Sequence, residues 1–424
     1  MRKPKSLLKF AIFPLVAAAL AVQAQTAPLP WSQRMANAAI RRWPDGRFAP
    51  AGAKWSWNYE LGTLLEGMDA VWTATENPRY LNYIRSSVDQ FVNADGTIST
   101  YVPAEHQLDN ILLGRQLLLL YRVTLDKRYA KAATFLFEQL QQQPRTPGGG
   151  FWHKERYPNQ MWLDGLYMAE PFYAEYASSF PHPEAFNDIA LQFNLIYTHV
   201  HDERTGLLYH GWDESKKERW ANPKTGDSSA FWARGVGWYM MALVDTLPDF
   251  PAEDAGRATL KAQLTELAAA VARYQDPKTG LWYEVLNKPD AEGNYLEASA
   301  SCMFVYAFVR AVRLGYLPAS YMDNAKRGYA GVLSRFVTTG ADGEVSLTGT
   351  VKSAGLGGKP YRDGSYAYYV GEKTVNNDPK GIGAFLLAST EMEAGEHVKP
   401  GNPHDTGLTE TLLKTDKGSD PAGR

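Results

Sequence analysis

Two aspartates, Asp164 and Asp109, stand at matching places in successive stretches of the sequence. Each follows a leucine and leads into an apolar segment, in Leu163-Asp-Gly165 and Leu108-Asp-Asn110. Paired carboxylates suit general acid and general base catalysis, because one can donate a proton while the other accepts one. A carboxylate at a helix start can also simply cap the free backbone amides there. Each aspartate therefore has a structural as well as a catalytic interpretation.

The sequence neighbours of Asp164 are aromatic. Trp162, Tyr167 and Phe172 all lie within eight residues of it. Apolar walls raise the pKa of a carboxylic acid, because they disfavour the charged form. We therefore expect a raised pKa for Asp164, as a general acid near neutral pH requires.

Cationic and further aromatic candidates lie in three other segments. Arg234 stands between Trp232 and Trp238, and an arginine fork suits a substrate carboxylate while flat tryptophan faces suit sugar rings. His153 and His210 lie in aromatic, glycine-rich loops, where a histidine is more often a structural hydrogen-bonding residue than a catalyst. The two histidines lack zinc-ligand spacing and no cysteine accompanies them, so the sequence predicts no metal site.

Composition excludes several classes of function. The chain of 424 residues carries a net charge of −2, and it has no basic stripe of the kind that binds nucleic acid. Phosphate-binding, dinucleotide-binding and Gly-x-Ser-x-Gly nucleophile motifs are all missing. The 12 tryptophans and 24 tyrosines exceed what a core needs and fit stacking on carbohydrate. The sequence therefore predicts an oligosaccharide, and no nucleic acid, as the partner.

Residues 1–24 have the layout of a secretory signal peptide. A basic start precedes an apolar run at 10–22, and small residues then occupy cleavage-site spacing before Gln25. The run is short for a membrane span, which takes about 20 apolar residues, although a retained anchor is the alternative. We expect an exported protein, periplasmic or secreted, with no membrane association after cleavage.

The rest of the chain repeats itself loosely. Gly62 and Gly114 are 52 residues apart, and Gly165 follows 51 residues later. Each repeat joins a polar or aromatic loop to a small-residue motif and an amphipathic helix, and such spacing indicates a supersecondary unit used several times. The units begin near Trp57, Leu108, Leu163, Trp232, Ala298 and Asn376.

Second helices lie between these starts, for example at 79–91 and 127–140, where apolar residues recur at helical spacing. Six units of two helices predict an all-α protein with an (α/α)6 six-hairpin toroid at 25–392. An open α-solenoid is the alternative, but the aromatic and polar residues at the unit starts favour a closed ring with one functional face. The polar, Gly- and Pro-rich residues 393–424 are expected to form a weakly ordered tail.

At these residues the chain resembles glycoside hydrolase family 105, the unsaturated rhamnogalacturonyl hydrolases, which belong to the six-hairpin glycosidases. The resemblance covers most of the chain, from about Trp55 to Leu387. It rests on Gly150-Phe-Trp-His-Lys154, Gln160-Met-Trp-Leu-Asp-Gly-Leu-Tyr-Met-Ala169, Trp232-Ala-Arg-Gly-Val-Gly-Trp238, Asp363-Gly-Ser-Tyr-Ala-Tyr-Tyr369 and Asn377-Asp-Pro-Lys-Gly381. The resemblance implies the (α/α)6 toroid that the repeats also predict.

The resemblance further implies an unusual reaction on a 4,5-unsaturated uronic acid at the non-reducing end of a lyase product. Water adds across the double bond, and the resulting hemiketal rearranges and expels the remaining sugar. Asp164 would protonate C4 and activate water, and Asp109 would position that acid and contact sugar hydroxyls. His210, Arg234 and Trp238 would line the uronate site, with Trp162 and His153 completing its wall. No metal or organic cofactor is implied.

Two alternatives remain at this stage. A glucuronyl hydrolase of the neighbouring family 88 shares the Trp-x-Arg-Gly-x-Gly-Trp segment and would act on glycosaminoglycan- or ulvan-type oligosaccharides. A glycan-binding protein without catalytic activity would use the same aromatic residues for binding alone.

Overall fold

The computed structural model describes residues 28–48 and 55–395. Thirteen α-helices lie in this described part: α1 Trp31–Arg42, α2 Tyr59–Thr75, α3 Pro78–Val88, α4 Gly114–Thr124, α5 Lys127–Gln142, α6 Leu163–Ser179, α7 Ala185–Val200, α8 Ala233–Thr246, α9 Ala255–Arg273, α10 Ala298–Arg313, α11 Tyr321–Arg335, α12 Tyr366–Gly371 and α13 Pro379–Ala394. Three antiparallel two-stranded ribbons pair β1 Gln160–Trp162 with β2 Gly211–Asp213, β3 Val337–Thr339 with β4 Val345–Leu347, and β5 Thr350–Val351 with β6 Thr374–Val375.

Six of the described helices, α2, α4, α6, α8, α10 and α13, form a closed inner ring. Each packs against the next, and α13 returns to pack against α2. These are the helices that begin at the six repeated motifs, so the predicted toroid is confirmed and the open solenoid is not.

The outer layer consists of α3, α5, α7, α9 and α11, each packed on the inner helix before it, together with α1. Here the structure departs from six consecutive hairpins, because α1 packs on α13 and the first and last helices form the sixth pair. The Ser32 amide donates to Glu393 Oε1 over 3.0 Å across this pair.

Burial explains the two layers. Every residue of α8 is buried, as expected for a helix that is enclosed on all sides. The outer helix α3 instead buries one stripe, which includes Tyr80, Tyr83, Ile84 and Val88. An outer helix therefore needs an amphipathic sequence, whereas an inner helix tolerates apolar residues all round.

The first turns of the inner helices converge on one rim. Tyr59 at the start of α2 lies within electrostatic reach of Asp109 before α4, Arg234 in α8 and Asp378 before α13. Helix N-termini carry partial positive charge. This rim therefore combines the partial positive charge of the helix N-termini and the Arg234 guanidinium with the carboxylates of Asp109 and Asp378.

The predicted domain limits stay a prediction, because two of the three predicted segments lie wholly or largely outside the described residues. The predicted signal peptide at 1–24 lies outside them, as does the tail from residue 396 onward. Helix α13 continues to Ala394, two residues past the predicted boundary at 392. In the described ranges, no helix combines the length and apolar character that a membrane crossing needs.

Candidate active site

Asp164 is positioned by the ribbon that leads into α6. Trp162 of β1 lies opposite Gly211 of β2, and the Leu163 amide donates to the His210 carbonyl over 3.0 Å. This pairing sets the first turn of α6 against the residue that precedes β2. Asp164 and His210 therefore meet, although they are 46 residues apart in sequence.

Asp164, His210 and Tyr369 form a hydrogen-bonded chain. His210 Nε2 lies 2.9 Å from Asp164 Oδ2, and His210 Nδ1 lies 2.7 Å from the Tyr369 hydroxyl. His210 and Tyr369 are completely buried, whereas 15% of the Asp164 side chain is exposed. Asp164 is thus the member of the chain that a ligand can reach.

The pKa of Asp164 is lowered, so the expectation of a raised value is wrong. Burial does disfavour the carboxylate, but its interactions with His210, which include a hydrogen bond, and with the nearby His153 together outweigh this effect. Two of the expected aromatic walls are directed elsewhere. Tyr167 stacks on Trp238, and Phe172 packs against Gly114. In the protein without a ligand, Asp164 is therefore a carboxylate at neutral pH.

Asp164 is also not the N-cap of its helix. The N-cap position of α6 is Trp162, which makes no side-chain cap hydrogen bond. Asp164 lies in the first turn and directs its carboxylate to His210. The structural interpretation of this residue as a plain helix cap is therefore not supported.

The second carboxylate, Asp109, lies in a short 3-10 helix, Leu108–Asn110. The Leu108 amide donates to the His153 carbonyl over 3.2 Å, which fixes this turn beside the loop at 150–154. Asp109 Oδ1 lies 3.3 Å from His153 Nε2, and Asp109 Oδ2 forms an ion pair with Lys154. His153 and Lys154 therefore hold Asp109 in place, and the Lys154 ammonium group balances the charge of its carboxylate.

His153 is a neutral part of the wall. Burial lowers its pKa to about 4, although Asp109 acts in the opposite direction. Asp164 also acts on this ring electrostatically, so the two aspartates flank the same histidine. Gly165 permits this arrangement, because a Cβ atom there would lie 3.1 Å from His153 Nδ1.

Trp162 lies between His153, which contacts Asp109, and His210, which contacts Asp164. Its ring stacks on His153 at 4.4 Å between centroids and on Tyr157 at 4.8 Å. Its edge meets His210 at 5.6 Å, and the Arg362 guanidinium lies 5.7 Å from its centroid. The predicted residues Asp109, His153, Trp162, Asp164 and His210 are thus brought together.

Arg234 and Trp238 do not face this cluster. Arg234 is 1% exposed; its Nε donates to Ser299 Oγ over 2.8 Å, and its Nη2 donates to the Val351 carbonyl and lies 3.7 Å from Glu297 Oε1. Trp238 is equally buried and stacks on Tyr167 at 4.9 Å. The structure does not support the expected substrate contacts, because both side chains are committed within the fold.

Sequence reasoning missed three site residues. Lys154 and Tyr369 are the last residues of the motifs Gly150–Lys154 and Asp363–Tyr369. Their place in these motifs was the sequence signal that could have identified them. Trp232 is the third, and its ring lies 4.5 Å from His210. Only the folded chain shows that each of them contacts an aspartate or the histidine that holds one.

The described ranges contain no candidate metal site. Across residues 28–48 and 55–395, no group of three or more His, Cys, Asp or Glu side chains is placed to hold a metal ion. The expectation that no metal is needed stays a prediction.

Comparisons with known proteins agree with this architecture. The model of Glycosyl Hydrolase Family 88 matches residues 31–395. A solved glycoside hydrolase of family 105 from C. acetobutylicum is 42% identical, with a TM-score of 0.83, and the match covers 87% of this chain and 100% of that one.

Two curated relatives are also similar. The 24.9 kDa protein in the picA locus of Rhizobium radiobacter is 40% identical over 53% of this chain and 97% of its own length. Unsaturated rhamnogalacturonyl hydrolase YesR of Bacillus subtilis is 27% identical over 72% of this chain and 85% of its own length. Since the family match spans nearly all of the described residues, this protein is a glycoside hydrolase of the group formed by families 88 and 105.

Proposed function

We propose that this enzyme removes a 4,5-unsaturated uronic acid from the non-reducing end of lyase-generated oligosaccharides by hydration of the C4=C5 double bond. The favoured substrate is unsaturated galacturonyl-rhamnose from pectic rhamnogalacturonan. Asp164 is the general acid and base, and Asp109 positions the reacting groups.

The carrying observation is the unequal status of the two aspartates. Asp109 is tied to both Lys154 and His153, whereas the Asp164 carboxylate pairs with His210 alone; the two side chains are about equally exposed, at 14% and 15%. A conventional retaining or inverting glycosidase uses two carboxylates with separate roles. Hydration needs one group that first gives a proton and then takes one, and Asp164 suits that task.

Binding of the substrate is expected to raise the pKa of Asp164, which a general acid requires. Asp164 is a carboxylate in the free enzyme, because His210 lowers its pKa. A bound uronate brings a second negative charge and displaces water, and both effects raise the pKa of a nearby carboxyl group. Binding of the uronate therefore favours the protonated form of Asp164, which can then donate its proton to the double bond.

The reaction then balances with one water molecule. Asp164 donates its proton to C4 of the enol ether, and positive charge develops at C5 and the ring oxygen. Water adds at C5 while Asp164 recovers a proton from it. The resulting hemiketal opens, and the bond to the leaving sugar breaks with return of a proton to that sugar.

Lys154 is the favoured contact for the uronate carboxylate. Its side chain is 11% exposed beside Asp109, and the partial positive charges of the inner-helix N-termini lie on the same rim. The expected contact, Arg234, is already engaged by Glu297 and the Val351 carbonyl. The similarity to YesR supports galacturonyl-rhamnose as the first substrate to test.

The principal test is Asp164→Asn, assayed by loss of the ultraviolet absorbance of the double bond. We expect kcat/KM to fall by about 1,000-fold, within the usual contribution of general acid–base catalysis. The matched control is Asp323→Asn, an exposed aspartate in the first turn of outer helix α11, which should remain fully active. An Asp164→Asn enzyme within tenfold of wild type would show that another group donates the proton.

Substrate class is tested with a panel of unsaturated disaccharides. Preference for unsaturated chondroitin or ulvan products over galacturonyl-rhamnose would replace the rhamnogalacturonan assignment with the glucuronyl one. Reaction in D2O should place one deuterium at C4 in a single configuration. Release of the unsaturated sugar with its double bond intact would contradict hydration.

We also propose that the enzyme acts outside the cytoplasm after removal of residues 1–24. Expression of the full chain in a bacterium, followed by fractionation and mass measurement, should give a periplasmic or secreted product that begins at Gln25. A cytoplasmic product that retains Met1 would contradict export.

A further inference from the structure

Tyr369 contacts the ring nitrogen of His210 that does not face Asp164. It lies in α12, whose N-cap Ser365 accepts from the Tyr368 amide over 3.1 Å. Its ring stacks on Trp232 at 6.0 Å, and the β5–β6 ribbon brackets the segment that carries it. The Tyr369 hydroxyl is thereby set in a buried position 2.7 Å from His210 Nδ1.

The direction of this hydrogen bond is inferred from which of the two groups carries a proton and which can accept it. A neutral tyrosine has one proton to donate, and burial raises the pKa of Tyr369 well above its usual value, so the phenol keeps it. Among the residues that the structure describes, His210 is the only hydrogen-bond partner of this hydroxyl. The phenol proton has an acceptor among the described residues only when it points at Nδ1 and Nδ1 presents a lone pair.

We propose that Tyr369 is a positioning residue that holds His210 as a neutral imidazole with its proton on Nε2. His210 then always donates to Asp164 Oδ2 and never competes for the substrate proton. This inference rests on the proposed function, in which Asp164 gives a proton to C4. It assigns His210 to orienting that acid and Tyr369 to fixing the tautomer that makes orientation possible.

Loss of the hydroxyl has a defined chemical consequence. Without a donor at Nδ1, the buried ring can carry its proton on Nδ1 or take up a second proton. In the first case a lone pair faces the Asp164 carboxylate and repels it. In the second case a full charge pairs with Asp164 and resists its protonation. Both changes impair the chemical step more than substrate binding.

The kinetic test is Tyr369→Phe, which retains the ring and its stacking. We expect kcat to fall about 10- to 100-fold with little change in KM, as when a partner that fixes a histidine tautomer is removed. Tyr368→Phe is the matched control, since it removes a hydroxyl from the same helix that bonds to the Gly355 amide and to Glu372 rather than to His210. An unchanged kcat in Tyr369→Phe, or an equal loss in Tyr368→Phe, would overturn the proposal.

Nitrogen NMR of ring-labelled histidines reads the tautomer of His210 in the wild-type enzyme independently of activity. The His210 signals, assigned by their loss in His210→Gln, should show a protonated Nε2 and an unprotonated Nδ1 in the wild-type enzyme at neutral pH. In Tyr369→Phe we expect that pattern to be lost. An imidazolium or an Nδ1-protonated ring in the wild type would overturn the inference and leave the role of Asp164 intact. Activity of Asp164→Asn would instead remove the proposed function.

Discussion

At the scale of single residues, the charge of Asp164 depends on one neighbour more than on the general polarity of its surroundings. Aromatic residues crowd its stretch of sequence, but two of them turn into the core and His210 donates to the carboxylate. Burial raises the pKa of Asp164, but its interactions with His210, which include this hydrogen bond to the charged form, and with His153 together outweigh the effect of burial. A lowered pKa makes the acid dependent on its anionic substrate for protonation.

His153 gives a pH prediction at the same scale. Burial lowers its pKa to about 4 in the folded state, whereas the unfolded chain takes up the proton near pH 6.5. The stability that this neutral histidine contributes is therefore complete above pH 6.5 and is lost as the pH falls towards 4. The loss amounts to about 3 kcal/mol.

The measurement is urea unfolding of wild type and His153→Gln at pH 7.5 and 4.5. The stability advantage of the wild type should shrink at the lower pH, because the variant lacks the group that resists protonation. His182→Gln, at a partly exposed histidine, should follow the wild type at both values. An advantage of equal size at the two pH values would contradict the assignment of a depressed pKa.

At the scale of elements, the inner ring closes where α13 meets α2, and glycine makes that contact possible. A Cβ atom on Gly383 would lie 2.1 Å from the Thr63 carbonyl oxygen, and one on Gly67 would lie 2.8 Å from the Gly383 carbonyl oxygen. Both obstacles are backbone atoms, which cannot rotate aside. The small residues of the repeated motifs thus allow two helices to approach closely.

Gly383→Ala should therefore destabilise the protein by about 1–3 kcal/mol, the usual range for overpacking. The free energy of unfolding, measured in urea, checks this value. Gly371→Ala provides the comparison, since a Cβ atom there meets nothing within 4 Å and the variant should unfold like the wild type. Equal stability of Gly383→Ala and Gly371→Ala would show that the closure tolerates a methyl group.

At the scale of the whole molecule, a buried chain of ion pairs links all six inner helices. Arg115 lies 3.1 Å from Glu175 and 3.3 Å from Asp245, and it also pairs with Glu66. Arg310 continues the chain, 3.0 Å from Asp245 and 3.4 Å from Glu391. Its members are Glu66 in α2, Arg115 in α4, Glu175 in α6, Asp245 in α8, Arg310 in α10 and Glu391 in α13. Charges on separate helices are satisfied only when the ring is closed.

Arg115→Met is expected to destabilise the toroid by about 3–5 kcal/mol, because it leaves buried carboxylates without this cation. Thermal and urea unfolding followed by circular dichroism measure the effect. Arg204→Met, which removes a largely exposed partner of Asp202, should leave stability unchanged. A stable Arg115→Met protein would mean that hydrophobic packing alone holds the six helices together.

The sequence by itself determined the features that local patterns encode. Spacings of 52 and 51 residues related the first three units, and small-residue motifs before apolar segments located the other three inner helices; the aromatic and polar residues at the unit starts predicted closure into a toroid. The same motifs placed Asp109, His153, Trp162, Asp164 and His210 at helix starts and rim loops. Such features are readable because helical periodicity and motif spacing are properties of adjacent residues.

The tertiary structure alone decided which distant residues meet. His210 and Tyr369 are 159 residues apart, and no local pattern indicates that a hydroxyl from α12 reaches that ring. Arg234 was expected to face the substrate, but Glu297 and Val351 hold it inside the fold. The pairing of α1 with α13 likewise exists only once the ring closes. The charge of a buried side chain and the residues it bonds to depend on contacts between distant parts of the chain. Those contacts form only when the ring of helices closes.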